Sequence, residues 1–289
     1  MKRGSLLNVS KIILILLILI GLVSCTEKKE EYVNKTPYRS IQEVPETEWE
    51  ILGNKRIYFG HQSVGYNLIQ GVHDVMSQYP QIKLNIIETK DLSQMKGGYF
   101  AHSQIGENKK PDSKINEFIE VMEKNSGNPV DIAFFKFCYV DIHNRTELES
   151  VFQLYKNRMG SLINKFQKTQ FIHFTVPLTL KQHEPDGWLV KVKKTVNWIL
   201  KKPDVFDNSF KYEYNDKIRS FYENKNTLFD FAYVESTYPD GRKNIFEKKG
   251  NKIEALIPEY TDDGGHLNSV GRYHAAESLL LYLVNMNRN

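Results

Sequence analysis

Apolar positions along this chain fall into short continuous runs and longer stretches with helical spacing, and the two kinds alternate. Residues 57–59 form a brief buried-strand run, after which Leu68, Ile69, Val72 and Met76 recur on one face of a helix. Residues 82–88 predict a second strand. From about residue 112, Ile115, Phe118, Ile119 and Met122 predict a helix that stops near Asn125-Ser-Gly-Asn. Residues 131–137 predict a third strand. Thr146-Glu-Leu-Glu149 reads as a capping box opening a long helix, with Leu148, Val151, Phe152, Tyr155, Met159, Leu162 and Phe166 on one face. Residues 171–176 and 229–234 predict a fourth and a fifth strand, with helices between them. Residues 241–258 predict a hairpin turning at Gly250-Asn251, and a last helix over about 269–284 carries Ala276, Leu279, Leu280 and Leu283.

Short apolar runs separated by helices predict an α/β fold: a parallel five-stranded sheet with helices on both faces. Ligands of such sheets bind at the carboxyl ends of the strands. Ser63 follows the first strand and falls at that edge.

The first 25 residues read as separate from this fold. Lys2, Arg3 and Lys11 precede an apolar block over 12–23 that is short for a membrane span. The block ends in Leu22-Val23-Ser24-Cys25, which resembles the bacterial lipoprotein signal, in which the cysteine is lipidated and becomes the first residue. That resemblance implies an exported chain, tethered by lipid at Cys25, and Thr26 in the next position favours the outer membrane. An uncleaved N-terminal anchor helix is the alternative. Residues 26–48 are charged and poor in apolar side chains and read as a flexible tether. Residues 49–289 then make one domain with an ample core.

Charge and cysteine content narrow the function. The formal net charge is +4, and loss of Lys2, Arg3 and Lys11 with a cleaved leader leaves +1, so bulk charge does not indicate nucleic acid. Cys138 is the only cysteine besides Cys25, which leaves the mature domain without an intrachain disulfide. It sits in an apolar run and reads as a buried small hydrophobe.

The chemistry-bearing residues lie at the two ends of the domain. Phe59-Gly-His-Gln-Ser-Val-Gly65 puts Ser63 just past the first strand, and Thr261-Asp-Asp-Gly-Gly-His-Leu-Asn-Ser-Val-Gly271 puts Asp263 three residues before His266. Serine, acid, histidine is one chain order for a nucleophile, an orienting acid and a general base. A spacing of three lets Asp263 and His266 share one wall of a loop. Taken singly, Ser63 could be a helix N-cap, Asp263 a turn residue and His266 a loop histidine. Their joint occurrence with the strand–helix alternation favours catalysis.

With these motifs the domain from about 55 to 285 resembles the SGNH (GDSL-type) hydrolases, whose fold is a flavodoxin-like three-layer α/β/α sandwich. The family contains esterases, lipases, carbohydrate deacetylases and some acyltransferases. Its serine after strand one is matched by Ser63, and its Asp-x-x-His before the C-terminal helix by Asp263-Gly-Gly-His266. The resemblance implies a serine esterase without a cofactor; export and lipid tethering, by compartment alone, point to a small ester or an ester-decorated extracellular glycan as substrate. The alternatives are an O-acyltransferase and a catalytically inactive, surface-tethered binding lipoprotein. The chain also departs from the pattern. Gly60-His-Gln-Ser63 stands where Gly-Asp-Ser is usual, with His61 in place of the aspartate. The family's second-block glycine, an oxyanion-hole N–H donor, is matched to Gly106 in Ile105-Gly-Glu-Asn-Lys-Lys-Pro111. The third block has no asparagine: Lys136-Phe-Cys-Tyr-Val-Asp-Ile142 stands there. Asn108 or Asn67 would then complete an oxyanion hole formed with the N–H groups of Ser63 and Gly106, and Asn108 is favoured because it shares a loop with Gly106.

Other residues add less. His61, Tyr139 and Asp141 are candidate substrate-binding residues at the strand ends. His143, His173, His183 and His274 lack metal-ligand spacing, so no metal is expected. Lys191, Lys193, Lys194, Lys201 and Lys202, opposite Trp188, Leu189, Val192, Val196 and Ile199, read as the solvated face of a helix. Residues 177–188 predict a long loop that shapes the site. The oligomeric state is not encoded in any of these patterns.

Overall fold

Ile57, Tyr58 and Phe59 are fully buried at the centre of strand β1, Arg56–His61, and every other strand of the main sheet is ordered around it. The structure is a computed structural model and describes residues 37–181 and 204–286. In chain order the elements are α1 (Glu46–Gly53), β1, α2 (Ser63–Gln78), β2 (Ile86–Glu88), β3 (Tyr99–Gln104), α3 (Pro111–Lys124), β4 (Ile132–Phe135), α4 (Leu148–Lys165) and β5 (Gln170–Phe174). There follow α5 (Asn208–Tyr222), β6 (Leu228–Phe229), α6 (Phe231–Ser236), the hairpin β7 (Ile245–Lys248) and β8 (Asn251–Glu254), and α7 (Ser269–Met286).

The main sheet is six-stranded, in the order β2-β3-β1-β4-β5-β6, and all its pairings are parallel. Without the three-residue edge strand β2, this is the doubly wound order of flavodoxin-like folds. Successive residues of β1 and β4 point to opposite faces and fill separate aromatic layers. Phe59 stacks on Phe134 at 4.7 Å and Phe134 on Phe174 at 5.3 Å, within the core that also takes Leu68 of α2 and Leu279 of α7. On the other face Tyr58 meets Phe118 of α3, and Phe135 meets Tyr155 of α4. The result is a three-layer α/β/α sandwich.

Four expectations change. The sheet has six strands rather than five, because Tyr99–Gln104 is a buried strand next to β1. Its polar His102 and Ser103 are buried because each has a side-chain partner on β1: His61 and Tyr58. The predicted strand at 229–234 is two strand residues followed by α6, because the Asp230 carboxylate accepts from the Tyr233 N–H and starts a helix. Thr146 does not cap α4. Its hydroxyl donates to the Asp141 carbonyl and accepts from the His143 N–H, bracing the loop before the helix. The tether at 26–48 is docked at its end, since Ile41 and Val44 are buried in the core beside Trp49 of α1.

Residues 1–25, including Cys25, lie outside the described residues, as do most of the loop at 177–188, His183 and the lysine-bearing helix face. Among the described residues no helix is long and apolar enough to cross a membrane.

Candidate active site

The carboxyl end of β1 leads through Gln62 into α2, whose first residue is Ser63. The turn is tight: a Cβ at Gly65 would lie 2.2 Å from the His61 Cβ, so only glycine lets the helix start this close to its strand. Side chains tie the turn to its neighbours. Gln62 Nε2 donates to the Ile105 and Gly106 carbonyls, both at 2.8 Å. His61 Nδ1–H donates to the Gln62 carbonyl at 2.9 Å, so Nε2 accepts from His102 Nδ1–H at 3.0 Å. Burial lowers the His61 pKa to about 3, which keeps this ring neutral.

Two hundred residues later the loop before α7 brings its own pair. Thr261 bridges Leu267 and closes the loop, and the Asn268 side chain accepts from the Val270 and Gly271 N–H groups to start α7. Gly264 has φ +90°, a conformation side-chain-bearing residues avoid, and this aims Asp263 back at His266. Asp263 Oδ1 accepts from the Gly265 N–H at 2.9 Å and the His266 N–H at 2.8 Å. Asp263 Oδ2 takes His266 Nδ1–H at 2.6 Å. Burial alone would push this carboxyl up. The His266 N–H, the His266 ring and the Gly265 N–H outweigh it and bring the pKa down to about 2. With Nδ1–H given to a carboxylate, the Nε2 lone pair faces Ser63 Oγ at 2.8 Å.

The geometry therefore brings Ser63, His266 and Asp263 into one continuous hydrogen-bond chain at the carboxyl edge of the sheet. Such a chain can move the Ser63 proton onto the imidazole while the carboxylate balances the charge formed. The first turn of the 16-residue helix α2 adds a favourable field for developing negative charge. Tyr139 stands against the histidine, its ring edge-on to His266 at 5.6 Å. Burial, with the nearby Cys138 and Asp263, pushes the Tyr139 hydroxyl up to about 12, so it remains a neutral donor.

The other expected site residues sit elsewhere. The Gly106 N–H is not offered to a ligand, because it donates to Glu117 Oε2 at 2.6 Å. Asn108 is exposed, and its side-chain oxygen accepts from Lys114 Nζ at 3.0 Å. Asn67 Oδ1 accepts from the Leu267 N–H at 3.3 Å, in the loop before α7. Asp141 is not a pocket residue. It is fully buried, pairs with the equally buried Lys114, and accepts from the Lys109 N–H at 2.7 Å and the Cys138 N–H at 2.6 Å. His61 is likewise fully buried and cannot form a pocket wall.

The sequence did not single out Gln62 or Thr261 as site residues, and it placed Cys138 in the core. Cys138 is indeed buried, but its Sγ lies 3.9 Å from Ser63 Oγ. Its position just past the end of β4 is the one available hint, since parallel neighbours end at the same edge. Farther in, Lys136, Lys211 and Glu235 are buried. Burial moves both lysines down and the glutamate up, so all three are drawn toward their neutral forms. Among the described residues no group of three or more histidine, cysteine, aspartate or glutamate side chains is disposed to hold a metal ion.

No protein-family model matches the chain, and no curated protein matches its sequence. Solved structures similar to it include a Streptococcus pneumonia protein described as a platelet activating factor, at 13% identity and a TM-score of 0.45, covering 82% of this chain and 90% of that one. Another is a Desulfitobacterium hafniense DCB-2 protein described as lipolytic and of the G-D-S-L family, at 8% identity and 0.43, covering 79% and 99%. A third is the periplasmic domain of a lipopolysaccharide acetyltransferase from Salmonella ser. Paratyphi A, at 13% and 0.40, covering 78% and 82%. Likeness at this level carries no residue-by-residue information, and the chemistry has to be read from the side chains of this chain.

Proposed function

We propose that this chain is a serine hydrolase that cleaves carboxylic esters through an acyl-serine intermediate. The observation that carries the reading is the hydrogen-bond chain from Ser63 Oγ through His266 to Asp263 at the carboxyl edge of the sheet. Ser63 Oγ attacks the ester carbonyl carbon as its proton passes to His266 Nε2, and Asp263 holds and balances the imidazolium. The Ser63 N–H, at the start of α2, faces the oxyanion that forms. His266 then gives its proton to the leaving alcohol. Water, deprotonated by the same imidazole, attacks the acyl-serine and releases the acid.

The proposal extends to location. The segment ending at Cys25 makes the protein an exported lipoprotein, which puts ester-decorated glycans outside the cytoplasm, or small esters, within its reach. Purified protein assayed with p-nitrophenyl acetate tests the chemistry. Ser63→Ala should lower turnover by about 10³–10⁴ or more with thermal unfolding nearly unchanged. A variant that keeps a hundredth of wild-type turnover would discard Ser63 as the nucleophile. Adding an acceptor sugar separates the outcomes further: acylated sugar identifies an O-acyltransferase, and no turnover at all identifies a binding protein that keeps the fold.

A further inference from the structure

The oxyanion that would form beside Ser63 lacks the backbone donor expected from the loop after β3, since the Gly106 N–H is given to Glu117. Among the described residues, one side chain besides His266 is in hydrogen-bonding contact with Ser63 Oγ: Cys138, with Sγ at 3.9 Å. The direction of that contact follows from the rest of the chain. Asp263 is ionised and must receive His266 Nδ1–H, which leaves Nε2 bare and makes Ser63 the donor to it. An oxygen that has given away its only proton can only accept, so in the Cys138 contact the thiol is the donor.

We propose that the Cys138 S–H is a catalytic hydrogen-bond donor of this site, holding Ser63 Oγ before attack and turning to the oxyanion after it. The proposal rests on the ester-hydrolase reading given above. When Oγ bonds to the carbonyl carbon, the carbonyl π pair moves onto its oxygen and the serine proton goes to His266. The Cys138 S–H bond stays intact throughout. The oxyanion is attached to the same carbon as Oγ, one bond angle away, and so forms within reach of a sulfur already in contact with Oγ. Two features fix the sulfur there. The Cys138 N–H donates to Asp141 Oδ2 at 2.6 Å, and Asp141 is itself anchored by the buried Lys114. The Cys138 carbonyl accepts from the Asp141 N–H at 3.0 Å, closing a turn at the end of β4. Asp141 and Lys114 are thus positioning residues for the thiol rather than pocket residues.

Steady-state kinetics on three forms of the full chain test this. A strong oxyanion donor is worth about 10²–10³ in turnover. A thiol is a weaker donor, and Cys138→Ala should cost about tenfold in kcat with KM unchanged. Cys138→Ser restores a donor and should stay within about threefold of the wild type. Wild-type kcat in the alanine variant, or equal losses in both variants, would overturn the proposal. A readout independent of folding of those variants is the S–H stretching band of the wild type in Raman difference spectra against Ser63→Ala, in which Cys25 cancels. The Cys138 band should move to higher frequency once its acceptor is gone; a band that does not move overturns the donor assignment. The two readings fail separately. An active wild type, inactivated by Ser63→Ala but indifferent to Cys138→Ala, removes only the role of Cys138. A wild type without ester turnover removes both.

Discussion

Replacing Asp263 by asparagine changes one atom of the side chain and should reverse the proton order of the whole chain. In the wild type, Oδ1 accepts two backbone N–H groups, from Gly265 and His266, and Oδ2 accepts the His266 ring. An asparagine keeps its oxygen toward the two backbone donors and turns its NH₂ toward His266 Nδ1. The imidazole must then accept at Nδ1 and carry its proton on Nε2, where it points at Ser63 Oγ and can no longer act as base. A triad put in the wrong tautomer loses about 10⁴ in kcat. Stability should move much less. The wild-type carboxyl titrates at about 2, against an ordinary 3.8. Its contribution is therefore present above about pH 4 and is lost as pH falls through about 2. The full shift would correspond to about 2.5 kcal/mol. A carboxylate whose side chain is 56% exposed is screened by water, so about 1 kcal/mol or less is expected. The assay pairs p-nitrophenyl acetate turnover at neutral pH with thermal unfolding between pH 5 and about 2. Turnover above a tenth of wild type in Asp263→Asn would refute the tautomer argument. An unchanged acid-unfolding profile would refute the account of the low pKa.

Three further outcomes follow from the same geometry. Lys114→Met leaves the buried Asp141 carboxylate without its ion-pair partner and should cost about 3–5 kcal/mol in denaturant unfolding; a loss below about 1 kcal/mol would show that water already reaches the pair. Gly264→Ala places a side chain at φ +90° and should cost about 1–2 kcal/mol, with turnover falling further than stability because Asp263 and His266 flank it. Cys25→Ser should release the protein from membranes into the soluble fraction, as expected of a lipid anchor; membrane retention with residues 12–23 uncleaved would identify that block as the anchor.

The layered α/β architecture was legible because its signal is periodicity, and periodicity survives in a single sequence. Strands β1, β4 and β5 and helices α2, α3, α4 and α7 all carry it. Strand β3 was not legible: His102 and Ser103 break its apolar run, and only their partners across the sheet make their burial tolerable. The site divides in the same way. Ser63, Asp263 and His266 were visible because their order and the three-residue spacing are local facts. Gly106 was matched to the second block of the family the sequence resembles, and Asn108 was favoured because it shares a loop with Gly106. That reasoning fixes the neighbourhood of a backbone but not the direction of its N–H groups, and the Gly106 N–H turns to Glu117. Cys138 was read by composition as core, and its contact with Ser63 depends on the β1–β4 register, which a sequence does not print.

The serine turn is braced by side chains on both sides. The neutral His61 is bonded to the Gln62 carbonyl on one side and to His102 on the other. Gln62 ties the same turn to the Ile105 and Gly106 carbonyls. The serine is thereby held from the sheet side, while the histidine is held from the helix side. Arg272 of α7 pairs with Asp74 of α2, and Gly71 lets the two helices close until a Cβ there would lie 2.2 Å from the Arg272 carbonyl oxygen. Both helices begin at the site, α2 with Ser63 and α7 just after His266. Their close packing therefore fixes the distance between residues 203 positions apart in the chain. A 2.8 Å contact between two such distant side chains requires both supports at once. A strand-end brace without the helix pair, or the reverse, would leave one partner free to turn away.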